Sequence, residues 1–214
     1  MKTLVKKIKY TAKIELLSNL HIGGTNTSMS IGGVDKFVVR NPIDQKPYIP
    51  GSSLKGKMRS LLELATGTYS QNDKKFGPST NSNNDSGSLF GTSAGNDAQP
   101  SRLIVRDAQM TDGQEEKMGK TDLYLTESKT EVSIDRITAQ ANPRTNEVVP
   151  KGVRFDFEAV LNIFSGDDEA NLRKNFEKSK KLLEDDYIGG NGSRGYGHIV
   201  FVDWKEEEKL IKDY

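Results

Sequence analysis

Asp35 stands in the glycine-rich segment SIGGVDKF, immediately ahead of the short apolar run Phe37 to Val39. A carboxylate on a glycine-flanked loop can approach a phosphodiester, take a proton from a 2′-hydroxyl or help hold a divalent cation. As an ordinary turn residue it needs no such role. His21, at the other end of the same connection, could bind a phosphate or act as an acid; a histidine satisfied by backbone groups is the commoner case. A second cluster is PGSSLKGKMRS at 50–60. Pro50 and Gly51 make a turn, Ser52 or Ser53 can cap, and Leu54, Met58, Leu61, Leu62 and Ala65 follow helical spacing, which leaves Lys55 and Arg59 together on a neighbouring face. Free N–H groups at a helix start attract anions, and phosphate is the natural guest. Gly51, Gly56 and Lys57 imitate a nucleotide-binding P-loop, but Met58 stands where the magnesium-holding hydroxyl belongs, so nucleotide hydrolysis is set aside. The third cluster is GGNGSRGYG at 189–197, where five glycines surround Arg194 and Tyr196. Such a run is either a solvated hinge or a loop shaped around a polyanion.

No dedicated metal cage is readable. Asp107, Asp112, Glu127 and Glu131 lie in or beside a long connection and read as carboxylates facing water, and nothing supports a serine nucleophile triad. Magnesium needs only one or two protein carboxylates when RNA phosphates complete its shell.

The elements that must position these groups follow from periodicity. Ile8, Tyr10, Ala12, Ile14 and Leu16 alternate with polar residues over 5–16, predicting a half-buried strand. A helix is predicted from Ser53 to Ala65, a strand from Arg102 to Arg106, a strand on the alternation Val153 to Ile163, a helix from Asp168 to Tyr187 and a last strand from Ile199 to Trp204. Strand, helix, strand, strand, helix, strand is an α+β order, the ferredoxin-like arrangement shared with RNA recognition motifs, in a single domain. Recognition motifs stack bases on strand aromatics; here the polar strand faces carry Lys7, Lys9, Lys13, Arg154, Asp156 and Glu158, so RNA would have to bind through loops. Three insertions interrupt the core, at about 18–50, 66–100 and 107–152. The middle one, around STNSNNDSGS, is expected to be mobile for want of apolar surface, with its LFG at 89–91 tucked back onto the core.

Bulk composition narrows the partners. With 34% hydrophobic residues, the 214-residue chain has one compact core and much polar loop. A net charge of +1 confines any nucleic-acid binding to local clusters such as Lys55, Lys57 and Arg59. Cysteine is absent, which excludes disulfides and thiolate metal sites, and no apolar stretch approaches a signal or membrane segment, so a cytoplasmic location is expected.

Taken together, LHIGG at 20–24, GGVD at 32–35, IPGSSLKGKMRS at 49–60, LFG at 89–91, IDRITAQANPR at 134–144 and YIGGNGSRGYG at 187–197 resemble the RAMP superfamily. Within it they resemble the repeated backbone subunit of type III-A CRISPR interference (Csm) complexes. The resemblance runs from the first strand to the last. It implies an RNA-recognition-like core, copies of the chain stacked along a CRISPR RNA in a helical filament with other Csm subunits, and endonucleolytic cleavage of the paired target RNA at regular intervals. It implies that Asp35 is the catalytic aspartate and a ligand of a divalent cation, Mg2+ or Mn2+. Guide contacts fall to Ser52, Ser53, Lys55 and Arg59 at the helix start and to Gly192, Ser193 and Arg194 on the glycine-rich loop, with His21 a further RNA contact. The insertion holding Ile134, Asp135 and Arg136 is similar to the family's protruding thumb, which wedges between bases. Two other readings share the fold: a guide-binding scaffold without chemistry, and a stand-alone RAMP ribonuclease that processes CRISPR transcripts.

Overall fold

The computed structural model describes residues 3–24, 34–72, 75–93, 98–119 and 121–214. In chain order the elements are β1 (Leu4–Leu16), β2 (Tyr48–Ile49), α1 (Gly51–Thr66), β3 (Ser70–Asn72), β4 (Lys75–Gly77), α2 (Asp85–Phe90), β5 (Leu103–Val105), β6 (Ala108–Met110), α3 (Gln114–Lys117), β7 (Glu127–Ile134), β8 (Ala141–Val148), β9 (Arg154–Phe164), α4 (Glu169–Glu184) and β10 (Ile199–Leu210). The fold is mixed α/β with antiparallel sheets. In the main sheet β1 lies between β10 and β9, and β5 and β6 pair with β9 on its far side.

Alternation decides which face is covered. Ile8, Tyr10, Ile14 and Leu16 of β1 and Phe155, Phe157, Ala159 and Leu161 of β9 are buried, and Leu54, Met58 and Leu62 of α1 and Leu172, Phe176 and Leu183 of α4 belong to the same core cluster. The opposite face of the sheet is neutralised by its own cross-strand pairs, Lys9 with Glu158, Arg106 with Glu158, and Lys13 with Asp156. Lys7, Lys9, Lys13, Arg154, Asp156 and Glu158 put charges and not rings on this face, and the exposed Tyr214, beyond the last strand, borders it.

Three expectations are corrected. Neither Ser52 nor Ser53 caps α1: Pro50 is the cap residue, with φ −59°, and the Gly51 N–H donates to Asp107 Oδ1 at 2.8 Å. An internal carboxylate thus takes the first N–H of the helix start that looked open to phosphate, while Asp107 itself stays exposed, as expected. The polar middle insertion is folded from Ser79 to Phe90 around Glu63, whose Oε1 accepts hydrogen bonds from Arg59 Nε at 2.8 Å, the Ser79 N–H at 2.9 Å and Ser86 Oγ at 2.8 Å. Asn84 caps α2 through Gly87 N, and Leu89 and Phe90 are buried as expected for LFG. A buried carboxylate supplies the binding energy that apolar surface does not. Finally, β10 runs on past Trp204 through the charged run Lys205 to Leu210, because Lys6 and Arg173 hold Glu206 and Glu208 by ion pairs.

Candidate functional site

The segment 35–39 lies against the base of the β7–β8 hairpin, bridging Lys36 to Asn146 in parallel and Gly23 to Val38 in antiparallel fashion. Each residue is tied in turn. The Asp35 N–H donates to Thr145 O at 2.8 Å, and the Thr145 N–H returns a bond to Asp35 Oδ2 at 2.8 Å. The Glu147 N–H donates to Lys36 O at 2.9 Å, and the Val39 N–H to Ile22 O at 2.8 Å. Asp35 is exposed, and its Oδ1 has no partner among the described residues. One carboxylate oxygen is therefore fixed to the backbone and the other faces outward. The glycines that precede it, Gly32 and Gly33, lie outside the described residues.

Beneath this strap is a cluster that sequence reasoning missed. Glu147, 3% exposed, accepts from the Val38 N–H through Oε2 at 2.8 Å and from Thr126 Oγ1 through Oε1 at 2.7 Å, and it pairs with Arg40. Arg40 also donates to Gln45 O at 2.6 Å and Tyr124 O at 2.9 Å. A charged residue in the apolar run around Val148 and Val149 was the only local signal, and its partner lies 107 residues away.

His21 sits under the same strap. It is 6% exposed, its Nδ1 is 2.8 Å from Glu147 O, and its own carbonyl accepts the Gly190 N–H at 2.8 Å. A ring nitrogen facing a carbonyl must carry the proton. The ring is thus held by one backbone segment through Nδ1 and the main chain by another, with little of the side chain exposed to RNA. His21 seats the glycine-rich loop. A side chain on Gly189, at φ +81°, would put Cβ 2.4 Å from His21 O; at Gly197, φ +73°, Cβ would stand 1.9 Å from Ile188 O. The loop is thus a close-packed turn and not a hinge. Tyr196, expected to offer a ring, is 1% exposed beneath Lys129, whose Nζ lies 4.2 Å from the ring centroid. Burial, with the Glu131 carboxylate adding to it, pushes its phenol up to about 12.

What the loop does present is Ser193 and Arg194, both exposed, with Gly192 partly so; Arg194 Nη1 stands 3.9 Å from Glu131. On α1, Ser52 is exposed, and Ser53 and Lys55 are half-buried. Burial, and after it the charge of Arg59, lowers the pKa of Lys55. Lys55 has no carboxylate partner among the described residues, so an incoming anion would relieve it. Arg59 departs from the free cation expected of it, since it donates to Glu63 and, through Nη2, to Ser79 O at 2.9 Å. Lys57 is likewise engaged, 3.8 Å over the Tyr187 ring and 3.3 Å from Asp186, which ties α1 to the start of the glycine loop. Arg136 lies at the exposed turn of the hairpin, far along the chain from these anchors. The structure therefore gathers His21, Asp35 and the glycine loop around one hairpin base and leaves Ser52, Ser53 and Lys55 on a separate helix face.

The donor set for a cation is narrow. Among the described residues no cluster of three or more acidic or histidine side chains could hold a metal, and Asp35 Oδ1 is a carboxylate oxygen without a partner at this site.

This architecture matches a family. The sequence model of the RAMP superfamily matches residues 13–200, and the chain belongs to that superfamily. Its relatives include the protein named CRISPR system Cms endoribonuclease Csm3 from Enterococcus italicus, 40% identical over 203 residues that cover 93% of this chain and 91% of the relative. Its namesake from Streptococcus thermophilus is 41% identical over 91% of this chain and 87% of the relative. A crystal structure of a Csm3–Csm4 subcomplex of the type III-A CRISPR-Cas interference complex superposes with a TM-score of 0.64 at 31% identity, covering 98% of this chain and 83% of that one. A chain of a type III-B Cmr-beta complex bound to cognate target RNA shares the fold, with a TM-score of 0.66 at 17% identity over 94% of this chain and 61% of that one. Among the described residues no helix is long and apolar enough to cross a membrane.

Proposed function

We propose that this chain is the CRISPR-RNA-binding backbone subunit of a type III-A interference complex, which assembles in copies along the guide and cleaves complementary target RNA at regular intervals. The observation that carries the reading is Asp35: a carboxylate pinned through Oδ2 at the base of the hairpin, with Oδ1 free, in a chain about 40% identical to proteins named endoribonucleases. The core is read as ferredoxin-like, in support of which β10, β1, β9 and β5 lie in the order fourth, first, third, second with α1 and α4 in the same core. The β7–β8 hairpin is read as the thumb. Each of its strands has eight residues, roughly 26 Å of reach. Ile134 and Ile137 near its tip are 58% and 94% exposed, and Asp135 stiffens the turn by accepting the Ile137 and Thr138 N–H groups at 2.9 and 2.8 Å.

In this mechanism the hairpin parts the stacked bases, and the kinked ribose swings its 2′-hydroxyl in line with its own 3′-phosphate. Asp35 Oδ1 takes the hydroxyl proton as the 2′-oxygen attacks phosphorus, forming a 2′,3′-cyclic phosphate and breaking the P–O5′ bond, whose oxygen leaves with a proton from water; the fixed Oδ2 keeps the carboxylate from rotating away. In the alternative in which Oδ1 instead holds a divalent cation together with phosphate and water, the cation would supply charge neutralisation at the phosphate. Ser52, Ser53 and Lys55, with Ser193 and Arg194 on the glycine loop, contact the guide backbone, so binding weakens with salt and ignores spacer sequence.

The test uses complexes reconstituted with guide RNA and end-labelled complementary RNA, with divalent cation or with chelator. Asp35→Asn retains an acceptor for the Thr145 N–H while removing the base, so the regular ladder should fall roughly 10²- to 10⁴-fold with assembly and target binding intact. A scissile 2′-deoxyribose should stop cutting in the wild type. A persistent ladder in the Asn variant would make the chain a scaffold or move the chemistry to another residue.

A further inference from the structure

Outside the core, one pair of aromatic rings meets at the surface. Tyr69, just ahead of β3, and Phe76 in β4 touch edge to face with centroids 5.5 Å apart, yet they remain 41% and 64% exposed. With Leu64, 65% exposed on the last turn of α1, and with Ser60 and Glu63, they line an open notch of about 400 Å³. The β3–β4 ribbon has three residues in each strand, too short to be stable unaided. It is anchored by Ser70 Oγ donating to Pro78 O at 2.9 Å and by the insertion built on Glu63. Ordering two large rings at a surface where they bury little is costly unless something else covers them.

Two observations say what covers them. The notch continues the exposed side of α1 that carries Ser52, Gly56 and Ser60, with Lys55 beside it. From Lys55 to Leu64 is about two and a half turns, roughly 13 Å along the axis, so a single strand joining them crosses the exposed face of the helix diagonally. The surroundings are also cationic: Lys55 and the exposed Lys75, next to Phe76, have no carboxylate partner among the described residues, whereas Lys57 and Arg59 are already paired. Glu63 is buried and fully engaged. Unpaired cations flanking a helix face that ends on exposed rings make a surface on which single-stranded nucleic acid binds, phosphates on the charges and a base on the π-face. Three apolar side chains are also far short of the roughly 800 Å² per partner of a stable protein interface.

We infer that Tyr69 and Phe76 form a stacking site for one nucleobase of the RNA whose backbone runs along α1, a contact supplied by the middle insertion and separate from the hairpin and the glycine loop. It rests on the guide-binding reading above, and the experiment separates the two. Fluorescence anisotropy would measure binding of a labelled guide RNA to the full chain, across a salt series, for the wild type, Tyr69→Ala/Phe76→Ala, Tyr69→Leu/Phe76→Leu and Lys55→Ala, each checked for an unchanged melting temperature. Both ring variants should weaken binding about 5- to 30-fold with an unaltered salt slope. The leucine pair retains apolar contact and loses only stacking. Lys55→Ala should reduce the slope by about 0.7. Wild type should bind an abasic strand as weakly as the alanine pair binds intact RNA. Ring variants that bind like wild type while Lys55→Ala weakens would overturn the stacking site and leave guide binding standing. If Lys55→Ala is also silent, both fall. Ring variants that hold RNA normally but fail to assemble into the complex would make the notch a protein contact and overturn the proposal.

Discussion

Replacing Glu147 by alanine should destabilise the chain by about 3 kcal/mol, and the structure says why. The carboxylate is 3% exposed and serves three donors at once: the Val38 N–H, the Thr126 hydroxyl and the Arg40 guanidinium. Removing one partner of a buried ion pair typically costs about 3–5 kcal/mol, because the remaining charge and donors are left buried and unmatched. The lower end applies here: Arg40 retains Gln45 O and Tyr124 O, and its side chain is 18% exposed, so water can reach it. For a chain of this size that predicts a fall in melting temperature of roughly 6–12 °C, read by calorimetry or circular dichroism. The double variant Arg40→Met/Glu147→Leu should recover part of the loss, since no charge is then left unpaired. Cleavage measured well below the melting temperature should suffer far less than in the Asp35 variants, because Asp35 holds Thr145 through its own two bonds. A Glu147→Ala chain that melts within about 2 °C of wild type would refute this account of the clamp, as would a double variant less stable than the single one.

Two further outcomes follow. Gly197→Ala should cost about 2–4 kcal/mol, combining a left-handed backbone with a Cβ placed 1.9 Å from Ile188 O, whereas Gly195→Ala, also left-handed but with open space around it, should cost about 1 kcal/mol; equal melting temperatures would contradict the packed-loop description. The third concerns pH. The Lys9 and Arg106 hydrogen bonds hold the Glu158 carboxyl below its ordinary 4.5, those from Lys6 and Arg173 do the same for Glu208, and those from Lys13 and Thr111 hold Asp156 below 3.8 although burial opposes them. Carboxyls lowered in the folded state stabilise it fully above their ordinary values, and that contribution is lost as pH falls through the lower folded ones. Melting temperature should therefore drop from about pH 4.5 downward, and Glu158→Gln/Glu208→Gln should flatten the drop; an identical profile would remove these pairs from the account.

The sequence by itself determined the period-bearing elements, because burial on one face writes itself into spacing. Ile8 to Leu16, Val153 to Ile163 and the stripes of α1 and α4 were legible before any coordinates, and so were the family motifs that mark Asp35 and the glycine loop. Only the tertiary structure decided which polar groups are free, because a donor's partner can lie anywhere along the chain. His21 and Tyr196 looked available and are buried; Arg59 looked like a free cation and is bound to Glu63 and Ser79; the open helix start is answered by Asp107, 56 residues away. The charged end of β10 has no apolar alternation to announce it, since ion pairs from Lys6 and Arg173 replace apolar burial there. Glu147 and Arg40 make the same point most sharply. Their pairing holds the strap that carries Asp35, and nothing local to either residue encodes it.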